Sequence, residues 1–539
     1  VIYFGNNSQG GYYPYDLNTG AYIGNARLFG AAIDGPVSLL ENISSSTNKN
    51  VLFTGDDGQS LVIGMDDGLN LINGDPRNGI ADNGMVAYAT TSYNTGWMHG
   101  DIKGAFMSGI STVSATDTNL VSNGTFDTNY DGWSLLNSYT ASVSSGQVAV
   151  NRNGSGSDEG LETTITTVAG EYYSVSVDVI SRQNSGTAQL NVGTVSGAND
   201  LVNVNVFDQD ATIPRFFTAT GTTTYVCLGV DSSGSGIVTF DNVSVKVAEL
   251  DRSINNDGLE VIGTIPKTPV VTGAELVAYG PFTSSNPYKQ LVQPYRSDLL
   301  LGSDDFCITG WVNNNSADAN EYEDIITFGN IGQVGYASME PGTWFIQMNL
   351  DHGFNMYYRT TTGASDSGWT NHHSDFQTYS LNGLGIWYKI TIVRRGTRVY
   401  TYTNDDFIGS QQMTGSFTTT NNLDDMKLHF GYEGGTAYGP YISQFTKMAL
   451  WKISKSAPSP EQIKKMYEDE KVLFQENAKA TLYGSSDAVT ALAYDELTDQ
   501  LHVGTASGRS DFQGLRRINN TTTAVTTAIS ANDTFIIEQ

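Results

Sequence analysis

Aromatic side chains set among amides, hydroxyls and acids are the residues here whose types suggest a chemistry. Pyranose rings present apolar C–H faces that stack on aromatic rings, while neighbouring amides and carboxylates bond the hydroxyls. Between residues 117 and 250 the candidates are Trp133, Tyr139, Tyr172, Phe207 and Phe216. Between 275 and 477 they are Trp344, Tyr357, Tyr358, Trp369, Tyr432 and Tyr438. Trp369 stands in a polar run, Ser-Asp-Ser-Gly-Trp-Thr-Asn-His-His, as a contact residue would. Trp311, Trp387 and Trp451 sit in apolar runs and are expected in the core.

Other chemistries find little support. The six histidines are scattered, and His372-His373 lies in a polar stretch without metal-ligand spacing. Two cysteines, Cys227 and Cys307, make neither a disulfide scaffold nor a structural zinc site and are expected as buried thiols. No phosphate-binding glycine loop or nucleophile elbow occurs. The run Glu321-Tyr322-Glu323-Asp324 is the nearest approach to the facing carboxylates of glycoside hydrolysis. Solvated loop acids are its simpler reading.

The elements that must position these residues are strands. Short β-type runs alternate with Gly, Asn and Asp punctuation almost throughout the 539 residues, which predicts an all-β protein. One helix is predicted. Ser459 caps it, Pro460 takes its first position, Gln462 completes a capping box, and Ile463, Met466 and Tyr467 form one apolar stripe up to about Lys471. A repeat is also visible. Val51–Asn73, with turns Asp56-Asp57-Gly58 and Asp66-Asp67-Gly68, and Val489–Asn519 both read as successive strands joined by tight turns, like propeller blades. The Asp-Asp-Gly pairs offer Ca²⁺ ligands but read first as hairpin turns.

Composition sets outer bounds. Asp plus Glu total 56 against 28 Lys plus Arg, a formal charge of -28 that repels nucleic acid and anionic membranes. No run of 18 apolar residues occurs, so no membrane insertion by a helix is expected. The chain opens Val1-Ile2-Tyr3-Phe4 without Met or signal peptide and is expected to be a processed product or the ordered part of something longer.

Three resemblances refine this. The opening Asn119-Leu120-Val121-Ser122-Asn123-Gly124-Thr125-Phe126-Asp127, with Asp131-Gly132-Trp133 and the closing Phe240-Asp241-Asn242-Val243, resembles carbohydrate-binding modules of the family 4/9 type. That resemblance implies a jelly roll over 117–250, with a structural Ca²⁺ held by Asp127 and Asp241 and with Trp133 mostly a packing residue. The order Phe306-Cys307-Ile308-Thr309-Gly310-Trp311, then Trp387–Arg394, then Met448-Ala449-Leu450-Trp451 and the capped helix resembles laminin-G-like, concanavalin-type sandwiches over 275–477. Related glucanases carry their acids as E-x-D-x-x-E, and the run at Glu321 departs from it. The remainder then reads as an interrupted β-propeller-like domain: 1–116, a strand segment at 251–274, and 478–539. Both sandwiches are inserted into it, and at about 45 residues per blade the flanks make about four or five blades.

Gly84–Gly104 and Val489–Arg517 are similar in phrasing to large virion proteins of marine tailed bacteriophages. That resemblance implies a non-enzymatic tail or tail-fibre protein at the virion surface, extracellular and homo-oligomeric. Its partners would be host surface polysaccharide and other virion subunits. Two alternatives stand beside it: a secreted polysaccharide-active glycoside hydrolase with accessory modules, and a purely architectural tail or decoration protein.

Overall fold

The computed structural model describes strand segments before residue 60 and most of 60–522. The main intervals outside the description are 74–83, 153–159, 207–213, 232–235, 284–288, 316–321, 330–341, 349–353, 360–384, 418–425 and 432–441, and after 522 it describes Ile529–Asn532 and Phe535–Glu538. The described chain is almost entirely β, with one α-helix and several sheets, none closed into a barrel.

Alternation dictates the layering. A strand buried on one face shows apolar residues at every second position. In Thr187–Gly193 this puts Ala188, Leu190 and Val192 inside, and in Tyr172–Gln183 it does the same for Tyr173, Val175, Val177 and Val179. These belong to facing sheets. One is five-stranded, in the order Ser134–Leu135, Leu161–Thr166, Thr223–Asp231, Thr187–Gly193, Val202–Val206. The other is the near half of an eleven-stranded sheet, built on Ile237–Leu250. Between them lies a core of Val, Leu, Ile and Phe with Trp133 and Tyr139.

The eleven-stranded sheet does not stop there. Gly258–Ile262 pairs with Ala248–Leu250 on one side and with Gln290–Gln293 on the other, then Lys427–Phe430, Glu323–Gly329, Trp344–Met348 and Phe354–Tyr358 follow. Its far half packs on an eight-stranded sheet centred on Phe306–Asn314 and Thr446–Ser454. Leu259 and Val261 face this second core as Val245 faces the first, so both partner sheets lie on the same side of the long sheet. The strip 251–274, expected to belong with the propeller, is therefore a joint between the two sandwiches. The physical reason is edge pairing: a strand closes onto whichever unpaired edges flank it in space.

Gly258 marks this joint. A Cβ there would lie 2.4 Å from Phe216 and 2.6 Å from Tyr172, whose rings stack nearly parallel 5.7 Å apart. Gly258→Val is expected to lose about 1–3 kcal/mol of stability by overpacking. A denaturation midpoint within error of the parent would show instead that the rings yield freely.

The eight-stranded sheet also takes in Ile102–Phe106 and Lys267–Pro269, so elements from outside 275–477 complete it. The repeated segments are both antiparallel meanders: Val37–Leu39 through Met98–His99 in six strands, Val489–Asp495 through Arg516–Thr521 in four. They share one apolar core, Val62, Leu69 and Ala89 against Leu482, Val489, Leu492 and Val503. The asparagine amide of Asn94 donates to the carbonyls of Ala480 (2.7 Å) and Leu515 (3.1 Å), tying the early meander to the late one.

The helix, α1, spans Pro460–Lys471 with the predicted capping box: Gln462 N donates to Ser459 Oγ at 3.2 Å and Ser459 N to Gln462 Oε1 at 2.8 Å. It lies on the outer face of the eight-stranded sheet, where Ile463 meets Cys307, Val393 and Tyr402. Both cysteines are free and buried.

Candidate sugar-binding face

Four of the expected aromatic contacts turn out to be packing residues. Trp344 is fully buried beside Phe328, and Tyr357 stacks on Phe345 at 4.7 Å with 6% of its surface exposed. Trp133 packs on Phe126 and donates its indole N–H to Asn123 O at 3.2 Å. Tyr139 is buried with its hydroxyl on Val230 O at 3.0 Å. These four are corrected from contacts to core. Each is an aromatic whose polar tip or ring already has a partner inside, so no ring face is left for a sugar. Tyr358 is half-buried against Phe417. Trp369, Tyr432 and Tyr438 lie outside the described residues.

The acids divide likewise. Glu323 faces the core, accepting from Asn314 Nδ2 (3.0 Å), Phe445 N (2.7 Å) and the Thr446 hydroxyl. Asp324, the next residue, accepts from Gln347 Nε2 at 2.7 Å. Consecutive strand residues point to opposite faces, so these two do not face each other across a cleft as paired catalytic carboxylates do.

Asp127 and Asp241 are drawn together with Asp178. The Asp241 carboxyl is raised above its ordinary range by partial burial and then by the charges of Asp178 and Asp127. A cation would relieve that repulsion. Yet each acid already accepts a hydrogen bond, from Thr125 Oγ1, Asn242 N and Asn242 Nδ2. Among the described residues no group of three or more His, Cys, Asp or Glu converges as a metal cage. The side chains suit Ca²⁺ in charge but do not by themselves enclose it.

A different set of polar groups converges on the jelly roll. The period that sends Ala188, Leu190 and Val192 inward sends Gln189 and Asn191 to the outer face of the five-stranded sheet. Register lines Asn191 up with Cys227 and Glu162 on one side and Asn203 on the other. Tyr225 lies in the next row, between Thr164 and Gly193. Adjacent strands are about 4.8 Å apart, so this is one continuous polar row with a half-exposed phenol beside it.

Glu162 holds the rim. Its carboxylate accepts from Ser196 Oγ at 2.7 Å and Gly197 N at 2.8 Å, pinning the turn after Gly193 over the sheet. Gly193 leaves the space that turn needs, since a Cβ there would meet Ala198 O at 2.3 Å. Cys227 Sγ accepts from Gly160 N at 3.3 Å. The floor is less well satisfied: among the described residues, Gln189 Oε1 and Asn191 Oδ1 are buried acceptors without a hydrogen-bond partner. An unmet buried polar atom costs about 1–3 kcal/mol. The signal for them was in the sequence, as amides alternating with Ala, Leu and Val, but a search led by aromatics passed over it.

No protein-family model matches the chain. No curated protein matches it either. Solved structures with local likeness include a botulinum neurotoxin type C structure whose description states that cell entry depends on interaction with two ganglioside molecules. It is 12% identical over 49% of this chain and 58% of that one, with a TM-score of 0.31. Domain 4 of AbnA, a GH43 extracellular arabinanase from Geobacillus stearothermophilus, in complex with arabinotriose, is 14% identical over 38% and 82%, with a TM-score of 0.26. A CBM4 structure is 17% identical over 23% of this chain and 99% of that one, with a TM-score of 0.19. Likenesses at these identities and scores place the chain in no family.

Proposed function

We propose that the protein is a non-enzymatic glycan-binding protein whose jelly roll takes a sugar chain on the outer face of its five-stranded sheet. The observation that carries this is a pair of buried acceptors without a partner among the described residues, Gln189 Oε1 and Asn191 Oδ1, flanked by Glu162, Asn203 and Tyr225. Sugar hydroxyls supply the donors these atoms lack, and Tyr225 offers a ring to a C–H face. The engagement of Glu323 inside the core supports a binding role over hydrolysis. The setting we assign is the surface of a bacteriophage virion, on the sequence resemblance alone. There, weak single sites on repeated copies would gain by avidity. Ca²⁺ at Asp127 and Asp241 belongs to the proposal as a staple with no catalytic part.

The test is a glycan-array screen of the full chain, with Ca²⁺ and again with EDTA, followed by the double variant Gln189→Leu/Asn191→Leu. Affinity for the captured glycan should fall at least about tenfold, equivalent to 1.4 kcal/mol. The melting temperature should hold or rise, because two unmet buried acceptors are removed. Undiminished binding by the variant would refute the site. Silence across host-surface polysaccharides would favour the architectural reading.

A further inference from the structure

The far edge of the eight-stranded sheet carries an unusual surface for so acidic a chain. Its last three strands are Trp387–Arg395, Arg398–Thr403 and Asp406–Gln412. Register places Arg395 opposite Arg398, Tyr400 opposite Ser410, and Tyr402 opposite Phe407. Tyr402 and Val393 on this outer face are covered by Ile463 of α1. Beyond the helix the cover ends.

There Phe407 is 56% exposed, its ring 6.4 Å from Tyr400 and 5.6 Å from Tyr402. A bulge between Thr401 and Tyr402 skips Ile408 and so turns Phe407 onto this face. The Arg395 guanidinium lies 5.2 Å from the Tyr400 ring centre and donates to Pro458 O. Arg398 is exposed and donates to Ser410, to the hydroxyl at 2.9 Å and the carbonyl at 3.4 Å. Neither arginine makes an ion pair among the described residues, although the chain has twice as many acids as bases. Each is held by neutral acceptors on a single nitrogen, Nη2, which fixes the guanidinium and leaves the rest of its donor fork open.

We propose that this strip is a second binding site, separate from the jelly-roll face, and that it takes acidic sugar units of a polysaccharide. A saturated ring has an apolar face for Phe407 and Tyr400, and its carboxylate or sulfate answers Arg398 and Arg395. The combination of an exposed ring and a guanidinium without an ion-pair partner among the described residues, on one strand pair, matches both halves of such a ligand. A nucleic acid would also offer rings and anions, but it is charged at every unit and the net charge of -28 opposes it along its whole length, whereas a polysaccharide can carry acidic units singly among neutral ones.

The experiment is calorimetric titration of the full chain with a short oligogalacturonate, its methyl ester, and a glutamate oligomer of similar charge. The oligogalacturonate should bind, weaken as salt is raised from 50 to 500 mM, and bind at least about tenfold better than either control. Arg398→Ala and Phe407→Ala, both at exposed positions, should each reduce it at least about fivefold. The Gln189→Leu/Asn191→Leu variant should leave it unchanged. Equal binding of the ester would show that charge is not read, and equal binding of the glutamate oligomer would make this an acidic-peptide site. Either result overturns the proposal, as does no binding or indifference to both substitutions. None of these outcomes bears on the jelly-roll face.

Discussion

Glu470→Gln is expected to destabilise the protein by about 3–5 kcal/mol, among the largest single-residue effects in the molecule. Glu470 sits near the end of α1, fully buried, with Lys389 Nζ on one carboxylate oxygen and Lys452 Nζ on the other, both at 2.6 Å. The Trp311 indole donates to Oε2 at 2.8 Å and the Trp97 backbone N–H to Oε1 at 2.9 Å. Burial alone would raise this carboxyl, but the two ammonium groups outweigh it and hold it below the ordinary range, so it stays ionised. A neutral amide would leave two buried cations without an anion and point N–H donors at one of them. Five segments meet at this carboxylate: the helix, three sheet strands carrying Trp311, Lys389 and Lys452, and the Gly96–Trp97 turn. Gly96 itself, at φ +62°, has no room for a Cβ beside Glu470 and Lys452. Denaturant unfolding followed by tryptophan fluorescence reads the effect, because Trp97 and Trp311 both touch the group. A loss below about 1 kcal/mol would mean that the ion cluster is solvated in a way its burial denies. The triple variant Glu470→Leu/Lys389→Met/Lys452→Met should recover most of the loss, since buried ion clusters often yield to apolar residues of similar volume.

Glu470 also shows where the sequence was legible and where it was not. The helix could be read because its determinants are local: a cap, a proline, a capping box and a stripe at Ile463, Met466 and Tyr467. Glu470 falls seven residues after Ile463, on that same stripe, and an acid on an apolar stripe is a sign of a buried partner. Its partners, 81 and 18 residues away, could not be read locally. The all-β class followed from short β-type runs punctuated by Gly, Asn and Asp. The four buried aromatics, Trp133, Tyr139, Trp344 and Tyr357, were misread for a different reason. Aromatic type was taken as the mark of a sugar contact, whereas Trp344 and Tyr139 supply the bulk that two facing sheets need. The amides that do reach the outer face are individually unremarkable and become a row only through strand register. The joint at Gly258–Ile262 was hidden for the same reason, since its neighbours are strands set by long-range pairing.

The second large effect is on the pH dependence of stability, where two buried groups act in opposite directions. His429 lies in Lys427–Phe430, opposite Val292 and Thr327, with Nδ1 3.0 Å from Gln290 Oε1. Burial, with a smaller push from Lys427, lowers its pKa from 6.5 to about 3. The unfolded chain therefore binds a proton that the folded chain refuses between those values. The stability this neutral imidazole confers is complete above pH 6.5 and is lost as pH falls toward 3, about 5 kcal/mol in all at about 1.4 kcal/mol per pH unit. Asp251 behaves in reverse. It is fully buried at the joint, accepting from Ala105 N, Ser253 N and Ser253 Oγ, each at 2.8 Å, with Arg296 Nη1 at 3.2 Å. Burial outweighs those bonds and raises its pKa from 3.8 to about 6. The folded state thus takes up a proton first, and stability rises as pH falls from 6 to 3.8, by about 3 kcal/mol. Over that shared window the two slopes nearly cancel, so neither group shows in the parent protein. Single variants should expose them. Relative to the parent, His429→Gln should gain about 1.4 kcal/mol for each unit of acidification between pH 6 and 4, and Asp251→Asn should lose about as much. Denaturation midpoints across that range decide it. Parallel curves for all three proteins would show that neither group changes its proton affinity on folding. Slopes of the same sign for both variants would contradict the opposite buried states assigned to the imidazole and the carboxyl.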